Sequence, residues 1–418
     1  MRVYRLIKYL LKPKRSIRRI GRALALAAAI SSVAVSATNK YAVLHNFRHG
    51  KDGGYAQGML VLDATGELYG VTGGGGVNGL GTIFRLHWAA DHWTESVIYN
   101  FDHHTSGDGA NGSLAVDKEG NLYGTTTDGG PRDVGTVYQL SPGSPRPDLS
   151  VLYGYGTNVG VILDNAGNVY GSFGLGNGSG AISELINGSH GWKLKTLYSF
   201  CSQTGCADGE DPLAPLSWDA KGNLYGTTYF GGNAGIYCPG SAGCGVAFQM
   251  THNRDGSWTY HVLHRFANFK TDGQYPYGGL TVDAEGNAYG TTTYGGNYDN
   301  GTVFELTPSV DGWKQTVLYD FPNIYLGRAP GNNLLFDKAG NLYGTAGGGN
   351  LSCPQTCGVI FKLTPQARGK WKYSLVHKFT GTDGDGPNGL TMDGAGNLYG
   401  TTMSGGQYNY GVAFELTP

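Results

Sequence analysis

Residues 279–321, GLTVDAEGNAYGTTTYGGNYDNGTVFELTPSVDGWKQTVLYDF, form one complete copy of a unit that recurs along the chain. Asp283 and Gly286 predict a hairpin turn, because the Asp side chain can bond to the turn backbone and Gly can adopt a positive φ. Thr307-Pro308 predicts the end of a strand. Apolar, β-branched and aromatic residues on either side predict four short strands, at 279–283, 287–292, 301–306 and 313–321.

The turn motif Asp-x-x-Gly-(Asn/Glu)-x-Tyr-Gly occurs seven times, and its tyrosines are 47 to 64 residues apart. A period near 50 residues is typical of propeller blades and related β arrays. The sequence therefore predicts an all-β protein, a seven-bladed β-propeller of four-stranded blades. The motif begins at Asp63, Asp117, Asp164, Asp219, Asp283, Asp337 and Asp393.

One unit of the repeat is split between the two ends of the chain. Residues 43–47 match the fourth strand and precede the first unit, whereas 411–416 match the third strand and end the last unit. If the Gly-Leu-Thr-Val-Asp strand is innermost, strand 41–47 pairs with 411–416 and closes the ring, which removes an open sheet edge. The alternative places the Val-Leu-Tyr-x-Phe strand innermost, with every blade continuous in sequence.

Composition supports a turn-rich β-protein that does not bind nucleic acid. Glycine contributes 72 of 418 residues, and charged residues only 15%. Nine of the 30 basic residues and no acidic residue lie in 1–37, so the remainder has 21 basic against 31 acidic residues, a net charge of −10. An acidic body lacks the basic footprint that phosphate binding needs.

Residues 1–37 are predicted to be a secretory signal peptide. The basic stretch is followed by about a dozen apolar residues and a small-residue end at Val35-Ser36-Ala37. A spanning helix needs about 20 strongly apolar residues, so an uncleaved N-terminal anchor is the less favoured alternative. We expect an exported protein, extracellular or periplasmic, with a single propeller domain at 38–418 and no membrane span after cleavage.

The repeated units resemble the GloVer tandem repeat of bacterial exported proteins called choice-of-anchor GloVer-containing proteins. The resemblance covers 41–418 and implies export and a repeat β fold, but it implies no activity and no catalytic residues. Many of those proteins end in a hydrophobic sorting or anchoring tail. The residues up to Pro418 hold none, so we expect a released protein, most simply a monomer.

Six cysteines occur as three close pairs, which in an exported protein predict three local disulfides. None has the Cys-x-x-Cys spacing of a metal site, and no histidine lies near them. Because strands alternate in direction, all six fall on one face, with the second-to-third and fourth-to-first loops. We expect function on that face, since binding residues concentrate on variable loops of a rigid scaffold. The pairs are Cys201/Cys206, Cys238/Cys244 and Cys353/Cys357.

Aspartates in recurring Asp-Gly pairs of the fourth-to-first loops are the candidate ligand-binding residues. If these loops approach the axis, their carboxylates could converge, hold Ca²⁺ or act as acid and base on a sugar. The alternative is turn chemistry repeated with the blade, and Gly156-Thr157 and Arg328-Ala329 interrupt the pattern in two units. The candidates are Asp108, Asp208, Asp272 and Asp383, with Asp52, Asp211 and Asp385 nearby.

Aromatic residues divide into framework and candidate contact residues. The repeated tyrosines sit in mid-strand, where packing is expected. Asp102-His103-His104 resembles a metal cluster but has no second cluster to pair with. Loop aromatics are better candidates for sugar stacking, namely Tyr229, Phe230, Tyr275, Tyr277, Tyr294 and Tyr408.

The chain has no catalytic signature, neither a serine nucleophile elbow nor a zinc-hydrolase motif. We therefore expect a non-enzymatic binding or surface-interaction module for a glycan or protein ligand, without a required cofactor. The alternative is a secreted carbohydrate- or lactone-active enzyme that uses axial carboxylates, with Ca²⁺ as a conceivable cofactor.

Overall fold

The structure is a computed structural model that describes residues 39–143, 147–157, 159–174, 178–232, 238, 243–267, 269–348 and 357–418. Residues from Asn39 to Pro418 form one compact unit. The predicted leader, 1–37, lies outside the described residues and stays a prediction.

Seven four-stranded antiparallel sheets follow one another along the chain as the blades of a propeller. This confirms the predicted fold. Blades 1 to 3 comprise β2 (Gly54–Leu62), β3 (Leu68–Gly74), β4 (Thr82–Ala89) and β5 (His92–Asn100); β6 (Ala115–Val116), β7 (Leu122–Thr126), β8 (Thr136–Ser141) and β9 (Asp148–Tyr153); and β10 (Ile162–Leu163), β11 (Val169–Gly171), β12 (Ala181–Gly188) and β13 (Gly191–Ser199).

The other four blades repeat the same order of strands. Blades 4 to 7 comprise β14 (Ser217–Trp218), β15 (Leu224–Thr228), β16 (Val246–His252) and β17 (Trp258–Arg265); β18 (Thr281–Val282), β19 (Ala288–Thr292), β20 (Thr302–Ser309) and β21 (Gly312–Asp320); β22 (Leu335–Phe336), β23 (Leu342–Ala346), β24 (Val359–Pro365) and β25 (Trp371–Lys378); and β26 (Asp385–Met392), β27 (Leu398–Ser404), β28 (Val412–Thr417) and β1 (Lys40–Asn46).

Short 3₁₀ segments occur at Thr204–Cys206, Ile324–Leu326 and Ala367–Gly369. Over the described ranges, no helix is both long enough and apolar enough to cross a membrane.

Strand β1 closes the ring by pairing with β28. Tyr41 lies opposite Leu416 and Val43 opposite Phe414, and a bulge follows Val43. The pairing covers 40–46 and 412–417, within a residue of the predicted boundaries. Closure places the first strand of each unit innermost, so the alternative register is wrong.

In blades 2 to 6 the innermost strands are shorter than predicted, with two residues each. In blade 5 regular pairing covers only Thr281–Val282, against a predicted 279–283. Backbones converge at the axis: a Cβ on Gly278 would lie 2.6 Å from the Asn332 carbonyl oxygen. Glycine permits this approach, and the converging segments bend out of the ladder.

The aspartate of the repeated motif holds its turn together with both carboxylate oxygens. In the last copy, Oδ1 of Asp393 accepts hydrogen bonds from the backbone of Ala395 and Asn397, at 2.8 and 2.9 Å. Oδ2 accepts from the Asn397 amide at 2.8 Å and from the Tyr399 hydroxyl at 3.2 Å. The hydrogen bonds stabilise the carboxylate, so the turn and the second strand are locked into one register.

The motif tyrosines pack between neighbouring blades, as predicted. Tyr289 of blade 5 lies in a buried cluster with Leu342 and Phe361 of blade 6. The glycine that follows the tyrosine makes room for a core ring within the same blade: a Cβ on Gly290 would lie 2.6 Å from Cζ of Phe304. Each fully buried aromatic side chain contributes about 2–3 kcal/mol to stability, and the repeat multiplies this contribution around the ring.

Candidate functional site

One face of the ring carries the second-to-third and fourth-to-first loops, and in four blades short β-bridges tie these two loops together. Examples are Glu210 with Phe230 in blade 4 and Gln274 with Tyr294 in blade 5. We call this face the loop face. The bridges hold loop residues in fixed positions without regular strands, which is the arrangement expected of a binding surface on a rigid scaffold.

Disulfides lie on the loop face. Cys201–Cys206 is in the loop from blade 3 to blade 4, and Cys238–Cys244 is in the second-to-third loop of blade 4. These two pairs confirm the prediction. Cys357 is also disulfide-bonded, whereas Cys353 lies outside the described residues. The Cys244 carbonyl accepts a hydrogen bond from the backbone of Tyr275 at 2.9 Å, which links this disulfide loop to blade 5.

The candidate aspartates form hydrogen bonds within their own loops. Asp208 accepts from the Tyr198 hydroxyl at 2.7 Å, from the Ser202 backbone and hydroxyl, and from the Gln203 backbone. Burial alone would raise the pKa of Asp208, but the hydrogen bonds from Ser202, Tyr198 and Gln203 outweigh it and lower that pKa. The carboxylate thus joins the end of β13 to the loop that follows.

In the other three candidates the aspartate is bonded to a histidine ring and not to a tyrosine hydroxyl. Asp272 is bonded to His264 Nε2 at 2.6 Å, and Asp383 to His377 Nε2 at 2.9 Å. Asp108 is bonded to His103 Nδ1 at 2.8 Å. Nearby, Asp52 is bonded to His45 in the same way, at 3.2 Å, and Asp385 accepts from Ser404. In the described structure these carboxylates shape separate loops, so their role in ligand binding stays a prediction.

The Asp102-His103-His104 segment contributes His103 to a small carboxylate–histidine cluster. His103 bridges Asp108 and Asp133, with Nδ1 and Nε2 at 2.8 and 3.1 Å from the respective carboxylates. The hydrogen bond to Asp108 raises the pKa of His103, so the imidazolium is favoured. Among the described residues, no group of three or more His, Cys, Asp or Glu side chains is placed to hold a metal ion.

A cavity of about 350 Å³ lies on the axis of the ring. Residues from all seven blades line it, all of them at or just before the innermost strand. Among the described residues, neither the candidate aspartates nor any other carboxylate is in its lining. The lining consists of Gln57, Gly58, Met59, Asn111, Gly112, Ser113, Val159, Gly160, Leu213, Pro215, Tyr277, Gly331, Asn332, Asn333 and Asn388.

Sequence reasoning did not find the amide side chains of this cavity. Their signal is their position in the unit: Gln57 and Asn111 each lie three residues before the core leucine. Leu213 and Tyr277 occupy the equivalent positions in blades 4 and 5. The pattern is easily missed because glycine and proline interrupt it in other units. It becomes recognisable once the first strand is known to be innermost.

Five of the six candidate loop aromatics come together on the loop face, at the boundary between blades 4 and 5. We call Tyr229, Phe230, Tyr275, Tyr277 and Tyr294 the aromatic cluster. Tyr229 stacks on Tyr275 with ring centroids 5.0 Å apart and meets Tyr277 edge-on at 5.9 Å. Phe230 and Tyr294 each pack edge-on against Tyr275.

Tyr408, the sixth candidate, lies apart. Its ring is 5.1 Å from the guanidinium carbon of Arg48, near the seam between blades 7 and 1. Because the chain segments of the aromatic cluster are separated by up to 65 residues, only the ring geometry shows which of the six belong together.

A search of curated proteins finds no match. A solved ulvan lyase of polysaccharide lyase family PL25 is 12% identical with a TM-score of 0.51, over 87% of this chain and 94% of that chain. A luciferin-regenerating enzyme is 14% identical with a TM-score of 0.44, over 76% and 92% of the two chains. A protein of unknown function from Dyadobacter fermentans DSM 18053 is 12% identical with a TM-score of 0.44, over 91% and 99%.

At these identities the likeness to the lyase extends to the fold alone. The family comparison is more specific. The model of the Gloeobacter/Verrucomicrobia repeat matches three overlapping segments, 32–160, 153–321 and 236–418. These segments include every copy of the Asp-x-x-Gly motif, and the chain therefore belongs to the Gloeobacter/Verrucomicrobia repeat family.

Proposed function

We propose that this protein is an exported, non-enzymatic binding protein that holds a neutral carbohydrate on its loop face. The observation that carries the proposal is the aromatic cluster. Tyr277 and Tyr294 remain 43% and 40% exposed. A saccharide ring has C–H faces that stack on aromatic rings and a rim of hydroxyl groups that needs hydrogen-bond partners.

The tyrosine hydroxyls of the aromatic cluster are available to a ligand. Framework tyrosines such as Tyr399 and Tyr260 donate to a protein oxygen at 3.2 and 2.5 Å. In contrast, the hydroxyls of Tyr229, Tyr275, Tyr277 and Tyr294 have no hydrogen bond to any described residue. Burial, reinforced by the three neighbouring phenols, raises the pKa of Tyr229. A phenol hydroxyl can both donate and accept a hydrogen bond, so these groups suit the hydroxyl rim of a sugar.

The cluster is held rigid before any ligand arrives. The backbone of Tyr275 is hydrogen-bonded to the backbone of Cys244, which is one of the two cysteines of the Cys238–Cys244 disulfide. Tyr229 is bonded through its backbone to Asp211, and Tyr294 to Gln274. A preorganised set of rings loses little conformational entropy on binding, and tyrosine has few rotatable bonds to restrict.

The disulfides and the predicted leader support an extracytoplasmic location, extracellular or periplasmic, where polysaccharides are accessible. Disulfides persist in oxidising compartments, and two are present in the described part of the chain. The enzymatic alternative requires axial carboxylates, and the described lining of the axial cavity contains none.

The test is binding of mature protein, residues 38–418, to immobilised neutral polysaccharides such as β-glucans, xylans and mannans, measured by affinity electrophoresis and calorimetry. We expect Tyr294→Ala to weaken binding about tenfold, because one stacking partner with its hydroxyl is removed. The matched control is Tyr298→Ala, which removes a tyrosine that is 57% exposed and outside the aromatic cluster.

Three results would overturn the proposal. The first is the absence of binding to every neutral polysaccharide tested. The second is equal loss of binding in Tyr294→Ala and Tyr298→Ala. The third is a protein partner that is captured by the mature chain and lost with Tyr294→Ala while all glycans fail.

A further inference from the structure

The axial cavity has two chemically different walls. Blades 3, 4 and 5 contribute apolar surface from Val159, Leu213, Pro215 and the ring of Tyr277, and blade 1 adds the side chain of Met59. Blades 6, 7, 1 and 2 contribute five amide side chains and one hydroxyl, those of Asn332, Asn333, Asn388, Gln57, Asn111 and Ser113.

The framework orients three of these amides. The Asn388 amide nitrogen donates to the Ala56 carbonyl at 2.8 Å and to the Thr401 hydroxyl at 2.9 Å. The Asn332 nitrogen donates to the Thr345 hydroxyl at 3.0 Å. Each therefore keeps its amide oxygen as an acceptor. Asn333 is held in the opposite sense: its oxygen accepts from the backbone of Gly279 at 2.7 Å, so its nitrogen remains a donor.

Two further amides have no partner at all in the described structure. The side chains of Gln57 and Asn111 line the cavity from adjacent blades, and neither forms a hydrogen bond with a described residue. Each offers one acceptor and two donors. The wall thus combines fixed acceptors, a fixed donor and two adaptable groups, and hydroxyl groups, which donate and accept, are complementary to this mixture.

The described lining of the cavity carries no formal charge. Its lining has no acidic or basic side chain, and Tyr277 is its only ionisable residue within the described ranges. A charged ligand would lose its hydration without gaining a counter-charge. At about 30 Å³ per water, the volume holds on the order of ten water molecules, which is comparable to one sugar unit of about a dozen non-hydrogen atoms.

We infer that the axial cavity is a subsite for one neutral sugar unit, with the apolar wall against a C–H face and the amide wall around the hydroxyl rim. The inference extends the proposed function, because Tyr277 belongs both to the cavity lining and to the aromatic cluster. A terminal unit of a saccharide enters the cavity while the preceding units lie on the aromatic cluster. Exclusion of charge at the axis makes the subsite selective for neutral termini.

The experiment measures binding of free D-glucose, D-galactose, N-acetyl-D-glucosamine and D-glucuronate to mature protein by ligand-observed NMR. We expect at least one neutral sugar to bind with a Kd of about 1 mM, and glucuronate to bind about tenfold more weakly. Gln57→Ala and Asn111→Ala should each weaken the neutral sugar about tenfold, the effect of losing hydrogen bonds to one amide. Asn187→Ala, at an exposed position near the end of β12 on the opposite face, is the control.

The outcomes separate the subsite from the proposed function. If polysaccharide binding depends on Tyr294 while no free sugar binds, or if Asn111→Ala and Asn187→Ala bind alike, the subsite is refuted and the proposed function stands. If free-sugar binding depends on Gln57 and Asn111 while polysaccharide binding ignores Tyr294, the subsite stands and the aromatic-cluster proposal fails. Equal affinity for glucose and glucuronate would refute the neutral selectivity.

Discussion

Glu95 on β5 occupies a position that holds a hydrogen-bond donor in four other blades. In each blade this residue lies opposite a large apolar residue of the third strand, as Glu95 does opposite Leu86 and Gln315 opposite Leu306. The donors reach the carbonyl of the fourth-to-first loop beside their blade. Tyr41, Tyr260, Gln315 and Tyr373 donate to the carbonyls of Asp383, Asp208, Asp272 and Leu326 at 2.6, 2.5, 3.2 and 2.7 Å.

By this equivalence the Glu95 carboxyl faces the Asp52 loop, and an ionised carboxylate cannot donate there. The Oε1 atom of Glu95 is buried without a hydrogen-bond partner. Burial, and secondarily the negative charge of Asp52, raises the pKa of Glu95 from 4.5 to about 7. Folded protein therefore retains a proton on Glu95 at a pH where the unfolded chain has released it.

We predict that Glu95→Gln stabilises the fold, and more strongly at higher pH. Below pH 4.5 both states carry the proton and Glu95 costs nothing. As pH rises from 4.5 to 7 the unfolded state loses its proton first, so the stability of the natural protein falls and then levels off. A shift of this size corresponds to about 3 kcal/mol, which solvent screening at this partly buried position reduces to about 1–3 kcal/mol.

Glutamine is the informative replacement because it matches glutamate in shape and can donate to the Asp52 carbonyl as Gln315 does to the Asp272 carbonyl. Urea unfolding at pH 5 and pH 8 measures the effect. We expect a gain of about 1–3 kcal/mol at pH 8 and little at pH 5. Glu119→Gln, at an exposed turn position, controls for removal of one negative charge. A Glu95→Gln gain that is equal at both pH values, or is matched by Glu119→Gln, would refute this reasoning.

Two further predictions concern the repeat motif and ring closure. Asp393→Ala removes four hydrogen bonds from one turn and leaves the Tyr399 hydroxyl with one partner fewer. We expect thermal or urea unfolding to show a loss of about 2–4 kcal/mol in the free energy of unfolding, and little change for the control Asp311→Ala at an exposed position. Similar losses in both variants would contradict the role of the motif. Removing residues 38–47 deletes β1 and exposes the edge of β28. We expect the shortened protein to aggregate and to melt more than about 10 °C below the 38–418 protein, with partial recovery when a synthetic 38–47 peptide is added. An unchanged melting temperature would show that β1 does not stabilise the ring.

Local patterns in the sequence were sufficient to predict the architecture of this protein. The motif copies at Asp63 through Asp393 define seven units, because few other sequences supply both the aspartate acceptor and the glycine at positive φ that this turn needs. Unpaired repeat strands at the two ends predicted that 41–47 would pair with 411–416. Alternation of strand direction placed the cysteines and variable loops on one face. Each of these conclusions depends on neighbours in sequence or on strict periodicity.

The candidate site could be predicted only in part. Recurrence alone suggested convergence of Asp208, Asp272 and Asp383 if their loops approached the axis. In the fold these carboxylates are bonded to Tyr198, His264 and His377 on the outer strands that precede their loops. A carboxylate accepts from the nearest donors that the fold supplies, and these lie two positions before the phenylalanine that directly follows the preceding strand. That match is visible in sequence only after the pairing is known.

The sequence by itself determined the number of blades, the closure of the ring and the face that bears the variable loops, because turn chemistry and strand alternation are local properties. Only the tertiary structure decided that Gln57 and Asn111 meet Leu213 and Tyr277 around one neutral cavity. It also brought Tyr229, Tyr275 and Tyr294 into one cluster. Those contacts join different blades, and the distance between side chains on different blades depends on the curvature of the whole ring.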